Sequence, residues 1–281
     1  METSRFELEK RVEREKEAHV EDDILRQSHE LKNYFYHIRL YPSLQRLLSN
    51  MYSLLENVEG RRVLDLGCGR GELSIFLLEK GARVCGIDIS SVYISEVNNV
   101  VEEKGLSKCD YDFKVMDAHS LDFEDNSFDI VVGDGVLHHL DLSLSLREIY
   151  RVLKVGGIAL FREPLAANPL LKAFRRLTPN ARTQDEKPMT YSDLRMIKKS
   201  GMWRIENDYC GILCAPIAVA TSIVLRPFPN NFLLKFTAQI ESILPKSDFI
   251  QAMNQYVLFK LIKQGHSDSN RSSQDGAFSL S

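Results

Sequence analysis

Short apolar runs alternate with amphipathic stretches through the middle of the chain. Arg62 to Leu66, Arg83 to Ile87, Tyr111 to Met116, Phe128 to Val132 and Ile158 to Phe161 are β-branched or apolar and too short for stable helices. Between them, Leu73 to Glu79, Val92 to Glu103 and Leu142 to Leu153 place apolar residues three and four apart, the helical period. This alternation of strand and helix predicts crossover units, hence a doubly wound, mostly parallel α/β sheet with helices on both faces. Two further strands, near Trp203 to Tyr209 and Tyr256 to Ile262, bring the expected sheet to seven. In such a sheet a ligand crevice opens at the carboxyl ends of the strands, where the strand order reverses.

The flanks differ in pattern. Residues 1–33 are dense in alternating charges, such as Glu9, Lys10, Arg11, Glu13 and Arg14, and predict an exposed helical extension. From Tyr34 to Leu54 the stretch turns apolar, which marks the start of a folded domain expected to run from 34 to 263. Residues 264–281 are rich in Ser, Asp, Asn and Gly and are expected to be disordered.

Two insertions, about 163–189 and 210–250, interrupt the last strands, and both are expected to project over the crevice as a helical cap around the helix Tyr191 to Lys199. The first sets Lys172, Arg175, Arg176 and Arg182 among apolar residues; the second is overwhelmingly apolar from Ile212 to Phe236. A greasy wall with a cationic rim suits a lipid-like amphiphile bearing an anionic group. The competing reading makes the apolar segment part of the core or a dimer interface. Its longest run, Gly211 to Leu225, carries Pro216 and falls short of the roughly 20 residues that span a bilayer. A transmembrane segment is excluded by that length, while peripheral membrane contact stays open.

Charge narrows the partners further. A formal net charge of -3 supplies no general attraction to phosphate backbones, which argues against nucleic acid and for a small-molecule substrate. The five cysteines, Cys68, Cys85, Cys109, Cys210 and Cys214, are scattered and accompany no N-terminal apolar signal, so a reducing cytoplasm is the expected compartment. Cys210 and Cys214 have no neighbouring His or Cys pair to complete a four-ligand set, and no metal site is expected.

The chemistry concentrates at strand ends. Asp65-Leu66-Gly67-Cys68-Gly69-Arg70-Gly71 runs a strand straight into a glycine-rich turn, where the backbone turns tightly and can approach a ligand without a Cβ in the way. Asp88 closes the second strand 21 residues after Gly67, where a carboxylate can accept from both ribose hydroxyls. Asp117, in Met116-Asp117-Ala118 at the third strand end, is placed to accept from an exocyclic adenine amine. Ribose and adenine acceptors at successive strand ends define an adenosine site. The G-x-G-x-G spacing followed by Glu72 disfavours the dinucleotide alternative, because a carboxylate would sit beside a diphosphate.

On these motifs the chain resembles the class I S-adenosylmethionine-dependent methyltransferases of the small-molecule type, tightly from Arg61 to Glu163. The resemblance implies a Rossmann-like fold and S-adenosyl-L-methionine as cofactor. It implies that Asp65, Gly67, Gly69 and Gly71 line the methionine and ribose side, Asp88 the ribose, Ile89 an adenine face, and Asp117 with Ala118 the adenine edge. Gly133, in Phe128 to Gly135, matches the strand end that meets the methionine portion. Val155 stands where the family usually has Pro, a departure expected to alter only the stiffness of the turn.

Methyl transfer is an in-line displacement that needs positioning more than catalytic side chains, but a hydroxyl or amine acceptor benefits from a base. His139 is the first candidate and His138 the second, since both follow the fourth strand and titrate near neutrality. For each, a packing or capping role competes. Glu163, after the fifth strand, is expected to face the crevice and orient an acceptor, with an ion pair to an arginine as its alternative. Tyr34, Tyr36 and His37 form a weaker candidate lid. A protein acceptor, or a cofactor-binding scaffold without chemistry, also fits a fold and pocket of this kind.

Overall fold

A computed structural model describes residues 41–177, 187–224 and 231–265, together with the isolated positions 10 and 13. The charged extension, the Tyr34, Tyr36 and His37 lid and the C-terminal tail therefore lie outside the described residues, apart from positions 10 and 13 of the extension.

The chain enters through α1 (Pro42–Leu54). Pro42 occupies its first turn, where a missing N–H costs nothing and the fixed φ already suits a helix. Leu44, Leu47 and Met51, spaced three and four apart, are its buried face. Leu47 is fully buried, and Leu47→Ala would cost about 2–5 kcal/mol through lost transfer energy and the cavity left behind.

Next come β1 (Arg62–Leu66), α2 (Glu72–Glu79), β2 (Arg83–Asp88), α3 (Ser91–Glu103), β3 (Tyr111–Val115) and β4 (Phe128–Asp134). A single 3-10 turn (Leu137–His139), α4 (Leu142–Val152) and β5 (Leu153–Pro164) complete the crossover units. Then follow α5 (Pro169–Leu177), α6 (Tyr191–Lys199), β6 (Trp203–Cys210), α7 (Cys214–Val224), α8 (Phe232–Ile243), α9 (Asp248–Ala252) and β7 (Tyr256–Lys263).

The seven strands form one sheet in the order β3-β2-β1-β4-β5-β7-β6. Strands β1 to β5 pair in parallel, and β7 runs antiparallel to both β5 and β6. The strand order reverses between β1 and β4, and this is the switch point at which an open α/β sheet leaves a crevice.

Alternate residues feed two cores, as a strand with a period of two requires. Val63, Val84, Val132, Leu160 and Leu258 join the layer of α1, α2, α3 and α7. Leu64, Cys85, Val131, Phe161 and Phe259 join the layer of α4 and α6 on the other face. Both faces are covered, which is why the parallel strands read as nearly continuous apolar runs.

In the described part of the second insertion the core reading of the apolar residues is the one this packing favours. Cys214, Ala215 and Ala218 of α7 and Leu234 of α8 are fully buried in the same core as Leu44 and Leu47 of α1. Glu241 of α8 accepts from the backbone N–H groups of Leu213 and Cys214 at 2.6 Å, placing a carboxylate at the amino end of α7 where the helix dipole favours it. The apolar insertion thus thickens one helical layer, because burying it against α1 satisfies it more fully than a solvent-facing lid would. No described residue of 163–189 or 210–250 lines the crevice.

Candidate functional site

A crevice of about 420 Å³ opens at the carboxyl ends of β1, β2, β3 and β4. Its floor is the turn between β1 and α2. Gly67 takes φ +68°, and a Cβ there would lie 2.6 Å from Val136 Cγ2, so the turn can pack on the β4 loop only as glycine. Gly69 also has positive φ, but nothing stands within 4 Å of where its Cβ would be, which leaves its backbone open to the crevice.

Asp88 ties two of these turns together. Its Oδ2 accepts from Gly69 N–H at 3.0 Å and its Oδ1 from Ser90 N–H at 2.8 Å. Each carboxylate oxygen has a second lone pair, and Asp88 lines the crevice, so the group can accept further from a ligand while holding the loops. Asp65 lies deeper, 2% exposed, and accepts from Ser74 Oγ at 2.6 Å. Burial pushes its carboxyl up to about 7, the Ser74 hydrogen bond opposing and the charges of Asp134 and Asp88 reinforcing the rise.

At the third strand end Asp117 lines the crevice with Ala118. Its Oδ1 takes the backbone N–H of His119 at 2.9 Å and pairs with His119 Nδ1 at 2.6 Å. His119 Nε2 accepts from Asp141 N–H at 2.8 Å, which puts the ring proton on Nδ1. Asp141 in turn caps α4 through Ser143 N–H and Leu144 N–H. One imidazole therefore joins the β3 end to the loop after β4.

The structure brings Asp65, Gly67, Gly69, Asp88, Ile89, Asp117, Ala118 and His139 together around this crevice. Four expected residues stand outside its lining. Gly71 is a packing glycine, since a Cβ there would meet Val97 Cγ2 at 2.2 Å. Gly133 is another, its Cβ position lying 2.7 Å from Phe161 and Val136; the neighbouring Asp134 and Gly135 line the crevice in its place.

Glu163 and His138 form the other pair. Because β5 runs to Pro164 and does not end at Phe161, Glu163 shares the buried face of Phe161 two residues earlier. It is fully buried. Its carboxylate accepts from the backbone N–H groups of Val136, Leu137 and His138 at 3.0, 2.8 and 3.3 Å and pairs with His138 Nδ1 at 2.7 Å. The alternative ion pair to Arg162 is also absent, for Arg162 points to the opposite face and grips Asp134 with two hydrogen bonds of 2.6 and 2.7 Å. The carboxylate fixes the turn that carries His139, whose ring packs on His138 at 4.1 Å between centroids.

Sequence reasoning missed Tyr52, Asp134 and His119 in the lining. Asp134 carried a readable signal, as the residue that ends β4 in line with Asp88 at the end of β2. Tyr52 did not, because α1 shows its apolar spacing and not the direction of its outer face. Five carboxylates, Asp65, Glu72, Asp88, Asp117 and Asp134, line the crevice against one arginine, Arg70, itself bonded to Glu96 at 2.8 Å. The chemistry is that of a site for a cationic, hydroxyl-bearing ligand. Among the described residues no group of three metal-ligating side chains comes together.

The seven-stranded sheet with a crevice at its switch point has the Rossmann-like α/β fold. Residues 64–161 match the family model described as a methyltransferase domain. The ubiquinone/menaquinone biosynthesis C-methyltransferase of Xanthomonas oryzae pv. oryzae is 40% identical over 105 residues, covering 36% of this chain and 41% of that protein. Phosphoethanolamine N-methyltransferase 3 of Arabidopsis thaliana is 32% identical over 122 residues, 41% of this chain and 24% of that one. The chain thus spans less than half the length of these curated relatives. Haemonchus contortus phosphoethanolamine N-methyltransferase 2, solved with phosphomonomethylethanolamine and S-adenosylhomocysteine, superposes with a TM-score of 0.54 at 21% identity. That superposition covers 77% of this chain and 53% of that structure.

Proposed function

We propose that this protein transfers the methyl group of S-adenosylmethionine to a small-molecule acceptor. The observation that carries the reading is the acid-lined crevice at the switch point, with Asp88 held between the glycine turn and the β2 end. A sulfonium nucleoside is cationic beside its ribose and suits five carboxylates; a dinucleotide diphosphate is repelled by them.

Bound there, the cofactor supplies an electrophilic methyl group. Asp88 holds the ribose hydroxyls, Ile89 covers an adenine face, and Asp117 with Ala118 meets the adenine edge. The open backbone at Gly67 and Gly69 and the carboxylate of Asp65 hold the methionine side. His139, on the turn that Glu163 anchors, is the residue placed to take a proton from an acceptor. Glu163 and His138 act through that turn, as positioning residues, and touch no ligand.

The relatives named above differ in acceptor, a carbon in one and a nitrogen in another. An amphiphilic, lipid-like acceptor is the finer form of the proposal, supported by the apolar composition of α7 and α8 and the basic α5 that rise from the same sheet edge as the crevice.

Isothermal titration with S-adenosylmethionine and S-adenosylhomocysteine, with NAD as control, tests the reading. Micromolar binding of the first two, lost in Asp88→Ala, is the expected result. A folded protein that binds neither would remove the methyltransferase reading.

A further inference from the structure

Helix α8 is apolar on two opposite sides. Its inner side is spent: Leu234 and Thr237 are buried, and Glu241 is tied to the backbone at the start of α7. On the outer side, Phe232 is 83% exposed, Phe236 51% and Ile243 81%. At about 100° per residue these three fall within about 40° of one line down the helix. Leu233, 46% exposed, stands beside them, and the rings of Phe232 and Phe236 stack at 6.3 Å. Single exposed apolar residues are ordinary, but three on one line of a helix, interrupted by the exposed Gln239 and with Leu233 to one side, mark a surface that something covers.

Area and charge say what. With about 200 Å² on each Phe side chain, the row offers about 500 Å², short of the about 800 Å² that each partner of a stable protein complex buries. A second copy of this chain is therefore a poor fit. The helices α5, α7 and α8 contain one carboxylate between them, Glu241, and it is turned inward. Outward stand Lys235 on α8 and Lys172 and Arg176 on α5, each exposed, while Leu170, 65% exposed, lies on another side of α5. In a chain of net charge -3 this side is cationic.

Aromatic and aliphatic side chains on one face, flanked by lysine and arginine, are what an interfacial helix presents to a bilayer with anionic headgroups. The placement agrees. Pro164, Tyr256 and Cys210 are paired across β5, β7 and β6, so α5 and α7 both leave the sheet at its crevice edge. We propose that the outer face of α8, with the basic side of α5, docks the protein on an anionic membrane surface. This does not depend on what the crevice binds.

Co-sedimentation of the full chain with phosphatidylcholine vesicles, and with the same vesicles carrying phosphatidylglycerol, tests it. Binding to the anionic vesicles is expected at least about tenfold tighter than to the neutral ones, and weaker as salt is raised. Phe232→Ser with Phe236→Ser should lower binding at least about tenfold while leaving the thermal melt unchanged, because both rings are exposed. Lys172→Glu with Lys235→Glu should erase the preference for anionic lipid. The proposal is overturned if the intact protein stays in solution with both vesicle types, or if the Phe232, Phe236 double variant binds as well as the parent. It is equally overturned if light scattering shows a dimer that the double variant dissolves, since the row is then a contact between copies.

Discussion

Two regions rise from the same edge of the sheet and carry opposite chemistry. Around the switch point, β1 to β4 carry carboxylates at or near their ends, held by hydrogen bonds from backbone and hydroxyl groups at Asp65, Asp88 and Asp117 and from Arg162 at Asp134. Along α5, α7 and α8 the single carboxylate faces inward and the exposed groups are apolar, basic or, at Gln239 and Ser242, neutral and polar. The first region is polar chemistry imposed on strand ends by a tight backbone; the second is a helical layer whose inner face is settled by packing and whose outer face is left to its surroundings. The difference teaches that polar groups at strand ends are fixed by the molecule itself, so that substitutions there should have large effects. Residues on the outer face of α8 should be nearly silent for stability.

The sharpest way to break that contrast is Glu163. Removing a buried carboxylate that three backbone N–H groups and His138 depend on should cost about 3–5 kcal/mol of folding stability in Glu163→Ala, read by denaturant titration. A loss under 1 kcal/mol would mean the turn holds itself. Glu163→Gln should recover part of the loss, since the amide oxygen still accepts.

Asp65 gives an effect of similar size and opposite sign. Its folded-state value near 7 lies above the ordinary 3.8, so the folded protein keeps a proton that the unfolded chain has already lost. Stability from this group is complete below pH 4 and lost as pH rises through 7. Asp65→Asn should match the parent near pH 4 and become more stable by up to about 4 kcal/mol at pH 8. Ionised Asp65 also favours a cation, so S-adenosylmethionine affinity in the parent should climb through the same pH range. Melting curves of both proteins from pH 4 to 8 check the first statement, and titration calorimetry the second.

Asp88→Ala comes next, with a loss of about 2–3 kcal/mol in S-adenosylmethionine binding, or about a hundredfold, from removed charge-assisted hydrogen bonds. NAD, which binds neither protein in this account, is the control.

Legibility follows the same division. The strands other than β5 could be bounded to within a few residues, because buried parallel strands show as apolar runs and their ends show as Gly and Asp. Asp88 and Asp117 were placed in the crevice by that spacing alone. What misled was direction. Glu163 reads as a loop residue as long as the strand is taken to stop at Phe161, and only pairing with β7 carries the strand to Pro164 and turns the carboxylate inward. The run from Ile212 to Phe236 is equally apolar as a lid, a core or an interface, since burial is non-directional, and only contact with α1 settles its inner face.

The smallest effect is the most specific. His119 holds Asp117 Oδ1 with both its backbone and its ring, while its far nitrogen takes the N–H that begins the α4 cap. If Asp117 meets the adenine amine, His119 sets the angle at which it does so, and His119→Ala should weaken S-adenosylhomocysteine by about 1 kcal/mol, or roughly fivefold. A merely structural role would weaken all nucleosides alike. The discriminating ligand is therefore the analogue with a 6-keto group in place of the adenine amine, which Asp117 cannot recognise. His119→Ala should leave its weaker binding unchanged, narrowing the gap between the two ligands, whereas an equal loss on both would assign His119 to the stability of the β3 and β4 loops. The comparison also separates the two sides of the crevice edge, since Phe232→Ser with Phe236→Ser should move neither affinity.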